Sequence, residues 1–122
     1  MTAEAIPDDV RELIVRHIDS VAKLELILLL GTRSPLSAET AAGELRMAAE
    51  PVRERLEELV KARLATRRGE EYSLRSADLL PLVGRLADAY NKRRVTVVEL
   101  VFNRPNESLS AFADAFKFRR KK

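Results

Sequence analysis

Residues 35–74 read PLSAETAAGELRMAAEPVRERLEELVKARLATRRGEEYSL, and the periodicities inside this stretch decide the fold. Ser37 is a capping residue ahead of Ala41, Ala42 and Leu45, the inner positions of a helix over about 37–46. Met47 is an apolar residue in the turn that follows. Val52, Leu56, Leu59 and Val60 recur at i, i+4, i+7 and i+8, one face of a second helix over about 49–62. The cap position of that helix is Ala48, which forfeits roughly 1 kcal/mol against serine or aspartate. Pro51 falls at its third position, where a missing N–H is tolerated. Leu64-Ala65-Thr66 and Tyr72-Ser73-Leu74 are short extended runs around Arg67-Arg68-Gly69-Glu70-Glu71. Their spacing predicts a hairpin over about 64–75 with Gly69 at its tip.

Working outward, Asp19-Ser20 can cap a helix over about 20–30. Val21, Leu24, Leu26, Ile27, Leu28, Leu29 and Leu30 leave it apolar on nearly every side, which predicts a scaffold helix buried between others. Gly31 is read as its terminator. Before it, Pro7-Asp8-Asp9 starts a helix over about 8–18 with Val10, Leu13, Ile14 and Ile18 inward, and Met1 to Ile6 is a loose end. After the hairpin, Asp78 can cap a helix with Pro81 at its third position and Leu79, Leu82, Val83, Leu86, Ala89 and Tyr90 as its stripe. The stretch RRVTVVELVF admits two readings. Its β-branched content favours a strand, whereas Leu79, Val83, Leu86, Tyr90, Arg94, Val97 and Val101 fall three or four apart. The preferred reading is one helix over about 79–103, roughly 37 Å long. Asn103-Arg104-Pro105-Asn106 is a turn by composition, and a last helix over about 108–118 precedes a basic end.

At 122 residues, 46% hydrophobic and 34% charged, the chain has enough apolar content for one packed core. No apolar run approaches the ~20 residues of a membrane span, and the N-terminus lacks the pattern of a signal peptide, so a cytoplasmic location is expected. There is no cysteine, hence no disulfide framework and no thiolate metal site. The single histidine, His17, lies between Arg16 and Ile18 and is read as a surface or boundary residue. The four glycines form no phosphate-binding spacing. The usual nucleophile–base pairs are missing, so the chain is expected not to be an enzyme and to use no cofactor or metal. The net charge of +3 is unevenly spread: residues 1–60 carry seven basic and twelve acidic side chains, a balance of −5, and residues 61–122 carry fifteen and seven, a balance of +8. Such polarity suits a polyanion or a second copy of the chain.

The order IDSVAKLELILLLG, then LSAETAAGELRMAAEPVRERLEELVKARLA, then TRRGEEYSL resembles the winged helix-turn-helix of small bacterial transcriptional regulators. The whole chain also looks like small stand-alone bacterial winged-helix proteins that are mostly uncharacterised. The resemblance implies a mainly α fold with a β-hairpin wing over residues 1–77, followed by a helical extension over 78–122. It implies double-stranded DNA as partner, with the second helix of the motif in the major groove and the wing on phosphates. Carried over by position, that helix would present Ala49, Glu50, Arg53, Glu54 and Glu57. Arg53 would bond guanine, and Arg46, Arg67 and Arg68 would hold the backbone. The basic tail, with Arg119 and Arg120, is by its own charge suited to grip phosphates or an acidic partner. In regulators resembling the MarR, ArsR and PadR groups a terminal helix pairs two subunits, which implies a homodimer through the C-terminal helices.

Two features keep a second reading open. Glu50, Glu54, Glu57 and Glu58 sit on the reading helix, where phosphate contacts call for positive charge. Winged helices also serve as protein-docking modules, so a protein partner remains the alternative to DNA. A basic amphipathic end can lie on membranes, but without Trp and with few large apolar residues this ranks last.

Overall fold

Ser20 opens the central helix of the molecule: its hydroxyl oxygen accepts the Lys23 N–H at 3.1 Å from extended backbone. The computed structural model describes residues 6–102. In chain order its elements are α1 (Asp8–His17), α2 (Val21–Thr32), β1 (Leu36–Ser37), α3 (Ala38–Leu45), α4 (Ala49–Lys61), β2 (Ala65–Arg68), β3 (Glu71–Leu74), a 3-10 turn (Ala77–Leu79), α5 (Leu80–Lys92) and α6 (Arg94–Phe102). α2 packs against α3, α4, β3 and α5, and Leu24, Leu26, Ile27 and Leu30 are buried among them. Its end differs from the sequence expectation. The helix runs through Gly31 to Thr32, and Arg33 is its C-terminal cap. Gly31 serves packing instead: a Cβ on it would lie 2.7 Å from Val83 Cγ1 in α5. No described helix is long and apolar enough to cross a membrane.

The helix-turn-helix forms as its sequence dictates. Ser37 Oγ accepts the Thr40 N–H at 3.0 Å and starts α3. Arg46 then turns left-handed (φ 57, ψ 49), and Met47 donates its N–H back to the Ala42 carbonyl at 2.9 Å. α4 starts at Ala48 without a side-chain cap, as expected. The loss is softened by Pro51, which sits where a capping oxygen would seek an N–H and offers none. The wing pairs Ala65 with Leu74, Thr66 with Ser73, Arg67 with Tyr72 and Arg68 with Glu71. Its two-residue loop has positive φ at Gly69 (φ 64), the position where glycine alone is unstrained. β1 was not anticipated. It joins the sheet beside β3 in the order β1-β3-β2, with Leu36 opposite Tyr72. Two residues are too few to show alternation, and Ser37 reads first as a helix cap. The result is a mainly α winged helix-turn-helix with a helical C-terminal part.

That part departs from the single helix expected over 79–103. Ser76, not Asp78, supplies the capping oxygen, accepting the Asp78 N–H at 3.2 Å, and Pro81 is the second residue of α5. The helix breaks at Arg93 (φ −132, ψ 51) and restarts as α6. Residues 95–102 are therefore helical, not a strand. The break is what packing requires, because it turns α6 so that Val97 and Val101 bury against α1 and α5. The Arg94 guanidinium lies 4.1 Å from the Tyr90 ring centroid at the corner. On the other side of α6, Val95 and Phe102 stay 70% and 65% exposed. The helix expected over 108–118, and Arg119 and Arg120 of the basic end, lie outside the described residues.

Candidate nucleic-acid interface

α4 packs on α3 along one side and on β2 along the other, so one surface joins the helix-turn-helix to the wing. Antiparallel register fixes which wing residues reach that surface. Arg67 and Tyr72 are directly opposed and share a face, while Arg68 and Glu71 share the other. The Arg67–Tyr72 face is the one turned to α4. Tyr72 is buried and its hydroxyl donates to Glu57 Oε2 at 2.6 Å. Arg67 Nε lies 3.1 Å from the same oxygen, and its Nη1 donates to the Gly69 carbonyl at 2.9 Å. Burial first, and the Glu57 carboxylate second, push the Tyr72 hydroxyl up to about 12, with Arg67 and Arg53 pulling the other way. Tyr72 is therefore a hydrogen-bond donor at every physiological pH.

Arg53, one turn earlier on α4, reaches across to α3. Its Nη2 donates to Glu39 Oε2 at 2.6 Å, in the first turn of α3. The Arg53 hydrogen bond holds the Glu39 carboxyl below the usual carboxylate range. Nη1 of Arg53 is enclosed and has no hydrogen-bond partner among the described residues. The face thus carries two guanidinium–carboxylate pairs, Arg53–Glu39 and Arg67–Glu57, on either side of Tyr72.

The four glutamates of α4 do not act alike. Glu58 points to the scaffold: Lys23 Nζ, on an almost buried side chain, lies 2.8 Å from Glu58 and 3.2 Å from Asp19. Arg55 meets Glu58 through Nε at 3.1 Å and Nη2 at 3.0 Å. Lys23, then Arg55, hold the Glu58 carboxyl below its ordinary value. Glu57 is engaged by the wing as described. Glu50 and Glu54 are the most exposed of the four. Glu57 is half-exposed, as the sequence predicts, but its contacts with Tyr72 and Arg67 depend on the wing register, for which the one hint in the sequence is a tyrosine at an inward strand position.

The residues singled out from sequence are only partly gathered. Arg53 and Arg67 both act on Tyr72, and Arg67 also meets Glu57. Arg68 is exposed on the opposite wing face, across from Glu71. Arg46 is exposed but borders a different feature, a shallow groove between α2 and α3 lined by Leu28, Leu29 and Leu45 with Glu25 and Glu44 at its rim.

No protein-family model matches this chain, and no curated protein matches it by sequence. Among solved structures it is similar to ZitR of Lactococcus lactis, in a mutant form. The TM-score is 0.51 at 19% identity, covering 82% of this chain and 74% of that one. It is also similar to RV1404 of Mycobacterium tuberculosis, with a TM-score of 0.50 at 17% identity, covering 84% and 74%. At such identities the likeness is one of fold.

Proposed function

We propose that this chain is a double-stranded-DNA-binding transcriptional regulator that acts in the cytoplasm as a homodimer and carries out no catalysis. The observation that carries the reading is the gathering of Arg53 and Arg67 where helix-turn-helix and wing meet, with Arg68 on the outer wing face. A winged helix places α4 in the major groove and the wing on the backbone. Arg53 then faces base edges, and Arg67 and Arg68 face phosphates. The acidic character of α4 weighs less than its sequence suggests, because Glu57 and Glu58 are engaged within the fold. The homodimer rests on α6. Val95 and Phe102 are large apolar groups left in water on a helix that is apolar on both sides, and a twofold partner would cover them.

The second reading is a winged-helix module that docks a protein instead of DNA. Glu50, Glu54, Glu70 and Glu71 favour it, being exposed and without an inward role. Titration with a random-sequence duplex at about 50 mM salt separates the two readings. Under the DNA reading the chain binds, and the Arg67→Ala/Arg68→Ala variant, with an unchanged melting temperature, binds at least about tenfold more weakly. Equal binding by the variant, or none by the parent, goes against it.

A further inference from the structure

The two arginines best placed for DNA are already occupied. Arg53 Nη2 is 2.6 Å from Glu39 Oε2, and Arg67 Nε is 3.1 Å from Glu57 Oε2. A carboxylate offers a guanidinium what a phosphate does, two oxygens bearing negative charge in fork geometry. We propose that Glu39 and Glu57 are internal stand-ins for the acceptors a duplex offers, a base edge for Arg53 and a phosphate for Arg67, so that binding to a duplex exchanges both arginines from carboxylate to nucleic acid and the two glutamates set the affinity. The inference rests on the DNA-binding reading above.

Three observations make the exchange feasible. Both carboxylates are open to solvent, Glu39 at 61% and Glu57 at 41% of the side chain, so the pairs are screened and weak. Arg53 is not satisfied where it sits, since Nη1 is enclosed without a partner among the described residues. Glu57 is not stranded when Arg67 leaves, because the buried Tyr72 hydroxyl keeps its bond to the same oxygen at 2.6 Å. Each arginine can therefore depart without leaving a buried charge behind. The same contacts account for glutamates on a surface that meets phosphate: they hold the cations until a stronger anion arrives.

The test is a pair of mutant cycles on the full chain, read as affinity for a random-sequence duplex at fixed low salt. Glu39→Gln and Glu57→Gln keep the side-chain shape, and the amide introduced by Glu57→Gln retains an oxygen for the Tyr72 hydroxyl. Each is expected to tighten binding by about three- to fivefold, the equivalent of one exposed ion pair. The gain from Glu39→Gln is expected to shrink in an Arg53→Ala background, and that from Glu57→Gln in an Arg67→Ala background. General repulsion between carboxylate and DNA would leave those gains unchanged. Weaker binding by either glutamine variant, or a gain that persists without its arginine, overturns the exchange while leaving DNA binding intact. Absence of binding by the parent chain overturns both. Glu39 lies on an exposed first turn, so its cycle stands even if Glu57→Gln lowers stability.

Discussion

Glu58→Ala is expected to destabilise the fold by about 2 kcal/mol, and Lys23→Met to cancel most of that loss. Lys23 carries its charge on a side chain only 8% exposed, on α2, the helix at the centre of the packing. Its ammonium is balanced by Glu58 at 2.8 Å and Asp19 at 3.2 Å. Removing one partner of a fully buried pair costs about 3–5 kcal/mol, because an uncompensated charge stays in low dielectric. The smaller figure here reflects Glu58 at 41% exposure and Asp19 remaining in place. Lys23→Met removes the charge itself, fills a similar volume, and by itself should change stability by less than about 1 kcal/mol. Chemical denaturation of the two single variants and the double variant measures the coupling. A Glu58→Ala loss that persists beside methionine at position 23 would place the cost elsewhere on α4.

The same pair gives acid sensitivity a definite sign. The folded-state pKa of Glu58 lies below the ordinary value of 4.5, with Lys23 as the main cause and Arg55 next. Its contribution is therefore complete above that ordinary value and is lost as pH falls through the lower folded one. The stability gap between the parent and Glu58→Ala is expected to narrow as pH falls through the carboxylate range.

Gly31→Ala is the second large effect, with an expected net loss of about 2 kcal/mol. In most helices alanine gains about 1 kcal/mol over glycine. Here the new methyl would meet Val83 Cγ1 at 2.7 Å, far inside van der Waals contact. Val83 is buried in α5 and its β-branched side chain has little freedom to rotate away. Overpacking of this kind costs about 1–3 kcal/mol, and the short distance places it at the upper end. Thermal melts of Gly31→Ala with and without Val83→Ala test the cause. The double variant should be more stable than the sum of the two single losses predicts. Strict additivity would mean that α2 and α5 are not locked at this contact.

Gly31 also marks where a sequence stops being legible. A glycine after an apolar helical run signals a C-terminus, and nothing local distinguishes it from a glycine that admits a neighbouring helix. The distinction lies in Val83, far along the chain in α5. The helix-turn-helix and wing were readable because their signals are local: helical spacing through Val52, Leu56 and Leu59, then extended runs around Gly69. The break at Arg93 was not readable, since Val97 and Val101 continue the stripe of α5 in sequence while tertiary packing on α1 turns them aside. At the candidate interface the arginines were legible as residue types. Their carboxylate partners were not, because Arg53–Glu39 spans two helices and Glu57–Tyr72 depends on strand register.

The proposed function has this face, acidic as it looks, meet a phosphate backbone. The dependence of duplex affinity on salt concentration, measured on the unmodified chain, decides whether it does. Four wing arginines in a homodimer, two from each copy, predict a plot of log affinity against log salt with a slope of about −3.6 or steeper, at about 0.9 for each phosphate contact. A slope near zero, or no duplex binding at about 50 mM salt, would contradict it and leave a protein partner as the occupant of this surface.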